Sequence, residues 1–290
     1  MKSILKKLIV STLRLFINLF GRDWGIRIRN VLRQAMDVEG IDATIEIIDT
    51  ARGPIRFYCL GDLARWRAET LLTKEPETIQ WIDRFGDTDV LYDVGANMGV
   101  YSLYAACKKN LMVLAFEPSA ANYYLLSRNI QENALEDRVQ AYCLALNDKN
   151  TLDQLHLRDV GFAHSMASFA TAVGSDGKTF EAAFKQRAVG LSLDSFIELF
   201  SAPCPNHLKI DVDGIEERII DGAVRTLSNP QLKSVLVELD TSLSEETQRI
   251  IKKFDDAGMT LLEKRRSPMF DGTEHANIYN HIFVRRTEGS

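Results

Sequence analysis

The sequence predicts an α/β fold in which helices cover both faces of a mostly parallel sheet. Three observations predict it. From residue 89 onward, apolar runs of about four to eight residues alternate with helical patterns of ten or so, as βαβ crossovers require. The first run, "VLYDVG" at 90–95, breaks into acid and glycine just before a helix, like the first turn of a doubly wound sheet. The last two runs, "MTLLEK" and "HIFVRR", are joined by the polar "RRSPMFDGTEHANIYN". That linker has no room for a crossover helix and makes the final strand antiparallel.

Taken in order, residues 1–40 read as a basic amphipathic helical extension. In "MKSILKKLIVSTLRLFINLF" the apolar Ile4, Leu5, Leu8, Ile9, Leu15 and Phe16 fall at helical spacing, with Lys6, Lys7 and Arg14 elsewhere on the wheel. Such a stripe packs on protein, as a homodimer contact or against its own domain, or lies on an anionic membrane through residues 1–20. Arg14 and Asn18 interrupt the run before it reaches the roughly 18 to 20 apolar residues of a spanning helix. No small-x-small cleavage site follows Phe20, which argues against a signal peptide. Residues 41–87 are expected to form a lead-in subdomain of strands ("IEII", "IRFYCL") and helices ("LARWRAETLL", "PETIQWIDRF"), the last opened by a proline suited to a first helical turn.

Residues 88–286 carry the regular alternation. "VLYDVG" precedes "VYSLYAACKK", "MVLAFEP" precedes "ANYYLLSRNIQEN", and "VQAYCLAL" leads to a short hairpin around "LDQLHLR". Residues 158–190, with four glycines, read as a mobile insertion. "HLKIDVDG", "IEERIIDGAVRTL", "SVLVELD" and "EETQRIIKKFDDAG" then resume the pattern.

Composition narrows the functional classes. The chain has 290 residues, 46% of them hydrophobic, enough for one large domain. A net charge of −5 argues against nucleic-acid binding, which needs a clustered basic surface. Only residues 1–33 depart from it, with eight basic residues against Asp23. The four cysteines are scattered without a C-x-x-C pair, as free thiols in a reducing cytoplasm are; the basic extension adds peripheral contact with the inner membrane face as an option.

The turn after the first strand carries the chemistry. Gly95 and Gly99 let the backbone approach a ligand and turn tightly into a helix. A dinucleotide site wants G-x-G-x-x-G, and a carboxylate there would repel the pyrophosphate; here the spacing is D-x-G-x-N-x-G. Asp93 instead suits a ligand bearing an ammonium group, such as the methionine part of S-adenosylmethionine. Glu117 ends the next strand, eighteen residues after Gly99, where a carboxylate can accept both hydrogen bonds from a ribose. The plainer alternative makes Asp93 a helix cap and Glu117 a surface acid.

In "HLKIDVDG", Lys209, Asp211 and Asp213 alternate along an expected strand and share one face. Asp211 and Asp213 can face cofactor and acceptor, with Asp213 a general base, or Lys209 can brace the sheet by a salt bridge. A divalent ion on Asp211 and Asp213 lacks a third ligand, so no metal is expected. Glu238, ending "VLVEL", is a candidate for binding acceptor hydroxyls. His164, Ser165 and Ser168, in "GFAHSMASF", are candidates for an active-site lid, with His164 and, more weakly, His207 as imidazole bases.

Together "VLYDVGANMGVYSLYAA", "VLAFEPSAANYYLLSRNIQEN", "SLDSF", "LKIDVDGIEERIIDGA" and "VLVELD" resemble the FkbM family of S-adenosylmethionine-dependent methyltransferases. The resemblance covers roughly residues 88–285 and implies a class I methyltransferase (Rossmann-like) seven-strand sheet and O-methylation of a hydroxyl on a sugar, glycan or secondary metabolite. By that similarity Asp93, Gly95, Asn97 and Gly99 form the methionine-side loop, Glu117 holds the ribose, and Asp211 lies close to the transfer site. The family usually has glutamate where this chain has Asp213. Two rivals remain in view: a nicotinamide-dependent oxidoreductase, disfavoured by Asp93 and the missing third glycine, and a catalytically silent adaptor of the same fold recruited to a membrane by its N-terminal helix.

Overall fold

Successive residues of a strand face opposite sides of the sheet, and a strand buried on both sides therefore feeds two cores. The computed structural model, which describes residues 43–286 except 109, 175, 274 and 275, has this arrangement. Leu91, Val113, Ala115, Leu236 and Ile282 belong to one core, and their neighbours Tyr92, Leu114, Phe116, Val235 and Phe283 to the other. The helical extension expected for residues 1–40 lies outside the described residues.

The hairpin of β1 (Ala43–Thr50) and β2 (Gly53–Leu60) leads into α1 (Gly61–Glu69) and α2 (Pro76–Asp83). Ile55, Phe57, Ala64, Trp81 and Ile82 from this segment are buried in the same core as Leu91 and Leu103, and the chain from Thr44 onward forms one compact unit. The alternation continues through β3 (Val90–Val94), α3 (Val100–Ala106), β4 (Met112–Phe116), α4 (Ala120–Glu132) and β5 (Val139–Tyr142). After an excursion come α5 (Leu193–Phe200), β10 (His207–Ile210), α6 (Glu216–Asp221), α7 (Val224–Ser228), β11 (Ser234–Asp240), α8 (Ser244–Asp256), β12 (Met259–Arg265) and β13 (Ile278–Arg285).

The main sheet has seven strands in the order β12-β13-β11-β10-β3-β4-β5. The pairs among β11, β10, β3, β4 and β5 are parallel, and β13 runs antiparallel to both neighbours, as the short final linker requires. Strand order reverses between β3 and β10, and a ligand crevice opens beyond the carboxyl ends of the strands at such a switch.

Residues 145–191 differ from expectation. In place of a short hairpin and a mobile insertion, β6 (Ala145–Leu146), β7 (Thr151–Leu157), β8 (Ala167–Phe169) and β9 (Phe184–Leu191) form a second sheet of order β6-β9-β7-β8. Gly190 and its fellow glycines read as loop, but β9 pairs antiparallel with all of β7. The expected strand 207–213 also ends early, at Ile210, so that Asp211 and Asp213 lie in the loop beyond it. No helix among the described residues is long and apolar enough to cross a membrane. All four cysteines are free thiols, Cys59 buried and Cys143 exposed.

At the amino ends of β3, β10 and β11 a polar chain ties the strands together. Trp81 Nε1 donates to Ser234 Oγ at 2.8 Å, whose hydroxyl reaches His207 Nδ1 at 2.7 Å. With Nδ1 accepting, Nε2 carries the proton and donates to Asp89 at 2.9 Å; Lys233 donates to the other carboxylate oxygen at 2.6 Å. His207 also stacks on Phe85. Its role is structural, at the end of the sheet away from the crevice. Burial pushes its imidazole down to about 4 against the pull of Asp89. Burial opposes but does not prevent Asp89 from being held near 2 by hydrogen bonds from Lys233, His207 and the Gly86 amide. A depressed imidazole contributes stability that is complete above its unfolded value of 6.5 and lost as pH falls toward 4. The stability advantage of wild type over His207→Gln in urea titrations is therefore expected to be constant above pH 6.5 and to narrow toward pH 4.

Candidate active site

Beyond the carboxyl ends of β3 and β10 lies a cavity of about 520 Å³. Its floor is the turn that follows β3. Gly95 N and Ala96 N both donate to Phe116 O, at 3.0 and 3.1 Å, which ties the turn to the end of β4. Gly95, at φ +84°, lies so close to the loop after β10 that a Cβ would sit 1.9 Å from Asp211 O. Asn97 takes φ 52°, a left-handed conformation that asparagine tolerates better than most residues. Gly99 caps α3 at φ +85° and packs against Leu126; it shapes the turn from behind and does not line the cavity.

Two buried carboxylates open onto this space. Asp93 Oδ2 accepts from Ser102 Oγ at 2.6 Å, whereas its buried Oδ1 has no hydrogen-bond donor. Burial raises its carboxyl, with Lys209 and Ser102 opposing. Glu117 accepts from Asn97 N through Oε2 and from Ser119 N through Oε1, both at 2.8 Å. Each oxygen keeps a second lone pair for a ligand. Burial outweighs both amides and pushes this carboxyl up to about 7.

Lys209 organises the charge at the switch point. It faces Asp93 across the β3–β10 pairing, and its Nζ lies 2.5 Å from Asp211 Oδ2 and 3.9 Å from Asp93 Oδ1. The salt bridge weighed as the alternative at 209–213 is thus present, and it uses Asp211. Burial favours neutral lysine, but Asp211, Asp93 and Glu75 hold the ammonium well above its usual range. Glu75, 2% exposed, is bonded by Lys74 and by the Tyr101 hydroxyl. Burial would raise it, yet Lys74 and Lys209 keep it near 2. Burial, then Asp211 and Glu75, push the Glu238 carboxyl well above the usual range, with Lys74 and Lys209 opposing.

The segment after β7 closes the outer wall. His164 O accepts from the side-chain amides of Asn97 and Asn122, at 3.1 and 2.9 Å. Asp213 Oδ2 accepts from the amides of Met166 and, at 3.2 Å, Ala167. Burial and the neighbouring Asp211 raise the Asp213 carboxyl against those two donors. Asp93, Gly95, Asn97, Glu117, Asp211, Asp213, Glu238, His164 and Ser165 therefore share one cavity. Ser168 does not join them: it is buried behind the wall and bonds Thr171 at 3.5 Å.

Sequence reasoning missed Lys74, Glu75, Tyr101 and Arg67, all of which line the same space. Asp211 pairs with Lys209 and Asp213 with backbone amides; among the described residues no group of three His, Cys, Asp or Glu is arranged to hold a metal ion.

The profile of the methyltransferase FkbM domain matches residues 93–267, more than half of the chain. The chain belongs to the FkbM methyltransferase family. The family and its fold use S-adenosylmethionine, and the two carboxylates with spare acceptor sites suit a ligand bearing ammonium and ribose hydroxyls. Hexuronic acid methyltransferase AglP of Haloferax volcanii is 26% identical over 60% of this chain and 65% of its own, so the chain spans just under two thirds of that relative's length. The 31-O-demethyl-FK506 methyltransferase FkbM of Streptomyces tacrolimicus is 25% identical over 69% of this chain and 82% of its own. The crystal structure of methyltransferase FkbM from Methylobacillus flagellatus has a TM-score of 0.44 at 17% identity, covering 69% of this chain and 44% of that one.

Because the Cβ of any residue but glycine at position 95 would meet backbone in an unfavourable conformation, Gly95→Ala is expected to lower the unfolding free energy by about 2 kcal/mol or more. Urea denaturation of the cofactor-free chain measures it; a change below about 0.5 kcal/mol, the level of an ordinary surface substitution, contradicts the close approach.

Proposed function

We propose that the protein transfers a methyl group from S-adenosylmethionine to a hydroxyl of a sugar, glycan or other small metabolite. The observation that carries this reading is the pair Asp93 and Glu117, buried at the tips of adjacent parallel strands and opening onto one cavity with hydrogen-bond acceptors to spare. The relatives' names support it, one on a hexuronic acid and one at the 31-O position of FK506.

In this reading Asp93 receives the ammonium of the methionine part, the turn shaped by Gly95, Asn97 and Gly99 receives its backbone, and Glu117 accepts from the ribose hydroxyls. Asp211, paired with Lys209, fixes the negative field beside the transfer site. When bound, the cofactor supplies an electrophilic methyl group on sulfur. The chain's task is to hold an acceptor oxygen in line with it, and alignment of this kind can supply about 7–11 kcal/mol. Asp213 is the first candidate for the base: its raised carboxyl brings its basicity nearer to neutral pH, and Oδ2 is anchored by two amides. Glu238, which lines the same cavity, orients an acceptor hydroxyl by hydrogen bonding to it. His164, half-exposed with Nδ1 3.6 Å from Asp159 Oδ2, is the alternative proton acceptor. Residues 63–77 and the wall from 158 to 167 bound the acceptor side.

Calorimetric titration with S-adenosylmethionine tests the assignment. Asp93→Asn and Glu117→Gln are each expected to weaken binding at least about tenfold, since a hydrogen bond to a charged group is worth about 1.5–3 kcal/mol. Asp213→Asn is expected to leave affinity unchanged and slow transfer by about 10²–10⁴, followed as the methyl gain of an acceptor by mass spectrometry. Unchanged affinity in the Glu117 variant removes that residue from the site.

The pH dependence has a defined sign. Ribose hydroxyls donate to ionised Glu117, whose carboxyl in the free protein titrates near 7. Affinity is expected to rise as pH increases through 7 and then level, and Glu117→Gln removes that rise; wild-type affinity that falls over the same interval excludes a carboxylate acceptor there.

A further inference from the structure

Five lysine and arginine side chains line the cavity among the described residues. Three are matched by acids: Lys209 by Asp211, Lys74 by Glu75 and Arg266 by Asp271. The other two are Arg67, on α1, and Arg158, just after β7. Arg67 Nε donates to Ala163 O at 2.7 Å. Arg158 Nη1 lies 3.1 Å from the Met166 sulfur, a weak acceptor, and its guanidinium sits over the Phe180 ring. Neither forms an ion pair with a carboxylate among the described residues. Both are anchored to one short segment, residues 163–166, whose other side meets Asp213.

We infer that Arg67 and Arg158 clamp an oxyanion carried by the acceptor, so that the substrate class is hydroxylated compounds bearing a carboxylate or phosphate. This inference rests on the methyl-transfer reading above. A guanidinium presents a planar fork of donors that matches such groups in bidentate fashion. With Nε on a carbonyl, Arg67 retains its two terminal nitrogens for a ligand. The rest of the lining is rich in acids and repels an anion, so the two guanidiniums restrict where a negative acceptor can settle. The position of Arg67 favours the acceptor over the cofactor's own carboxylate. Its charge acts on Glu117, Asp213 and Lys74, whereas the leading influences on Asp93, at the proposed methionine end, are burial, Lys209, Ser102, Asp211 and Glu75.

The test uses the full chain saturated with S-adenosylhomocysteine and titrated calorimetrically with glucuronic acid, glucose 6-phosphate and glucose. At least one of the two oxyanion sugars is expected to bind at or below about 1 mM and at least tenfold more tightly than glucose; which one responds separates carboxylate from phosphate. Arg67→Gln and Arg158→Gln are each expected to weaken that binding about tenfold or more, with affinity for S-adenosylhomocysteine unchanged at a pH well above 7, where Glu117 is ionised with or without the Arg67 charge. Equal binding of glucose, no binding of either oxyanion sugar, or anion binding that survives in the double variant overturns the clamp. Loss of S-adenosylhomocysteine affinity in Arg67→Gln also overturns it and gives the guanidinium to the cofactor. Wild type that fails to bind S-adenosylhomocysteine sinks the methyl-transfer reading, and the clamp with it.

Discussion

A buried ammonium among carboxylates is the constraint on which the crevice depends. Removing a single charge from water costs several kcal/mol unless partners replace the lost solvent. Lys209 is 1% exposed, yet it has Asp211 in contact, Asp93 across the strand pair and the Tyr101 ring 5.1 Å away. The dependence runs both ways, because Asp93 and Glu75 are as deeply buried as the lysine. Its place is set by register: Lys209 stands opposite Asp93 where strand order reverses, so the gap in the topology and the centre of charge coincide.

How much of this was legible in the sequence follows from where each residue's environment comes from. The central strands are buried on both faces and are written as continuous apolar runs, and Asp93 and Glu117 interrupt those runs at their ends, where an acid needs a reason. Lys74, Glu75 and Arg67 lie in or between the short helical stretches of the lead-in segment, which carry no strand-end motif; only the packing of residues 53–85 against the sheet brings them to the cavity. The second sheet was missed for a related reason. Strands β7 and β9 are half-exposed and mix Asp, Gln, Lys and Arg with their apolar residues, and their partners are separated by a stretch rich in glycine. The early end of β10 was equally hidden, since "KIDVD" alternates as well in a loop as in a strand.

The same central strands do different work at their two ends. At the amino ends, Trp81, Ser234, His207, Asp89 and Lys233 form one hydrogen-bonded chain with each donor matched to an acceptor. At the carboxyl ends, Asp93 keeps an unmatched oxygen and Asp213 and Glu238 hold raised carboxyls. Saturation at one pole and deficiency at the other is the division expected of a scaffold that is rigid where it is held and reactive where it is open.

The shared core of residues 53–85 and the sheet has a further consequence. The family profile begins at Asp93, but Leu91, Leu103 and Leu236 are covered in part by Phe57, Trp81 and Ile82, which precede it. The stretch by which relatives recognise one another is therefore smaller than the piece that can stand by itself in water. A transplant that moved only residues 93–267 would leave behind the Phe57, Trp81 and Ile82 side of that core and expose a greasy face, so the hairpin and its two helices belong to the same folding unit as the sheet.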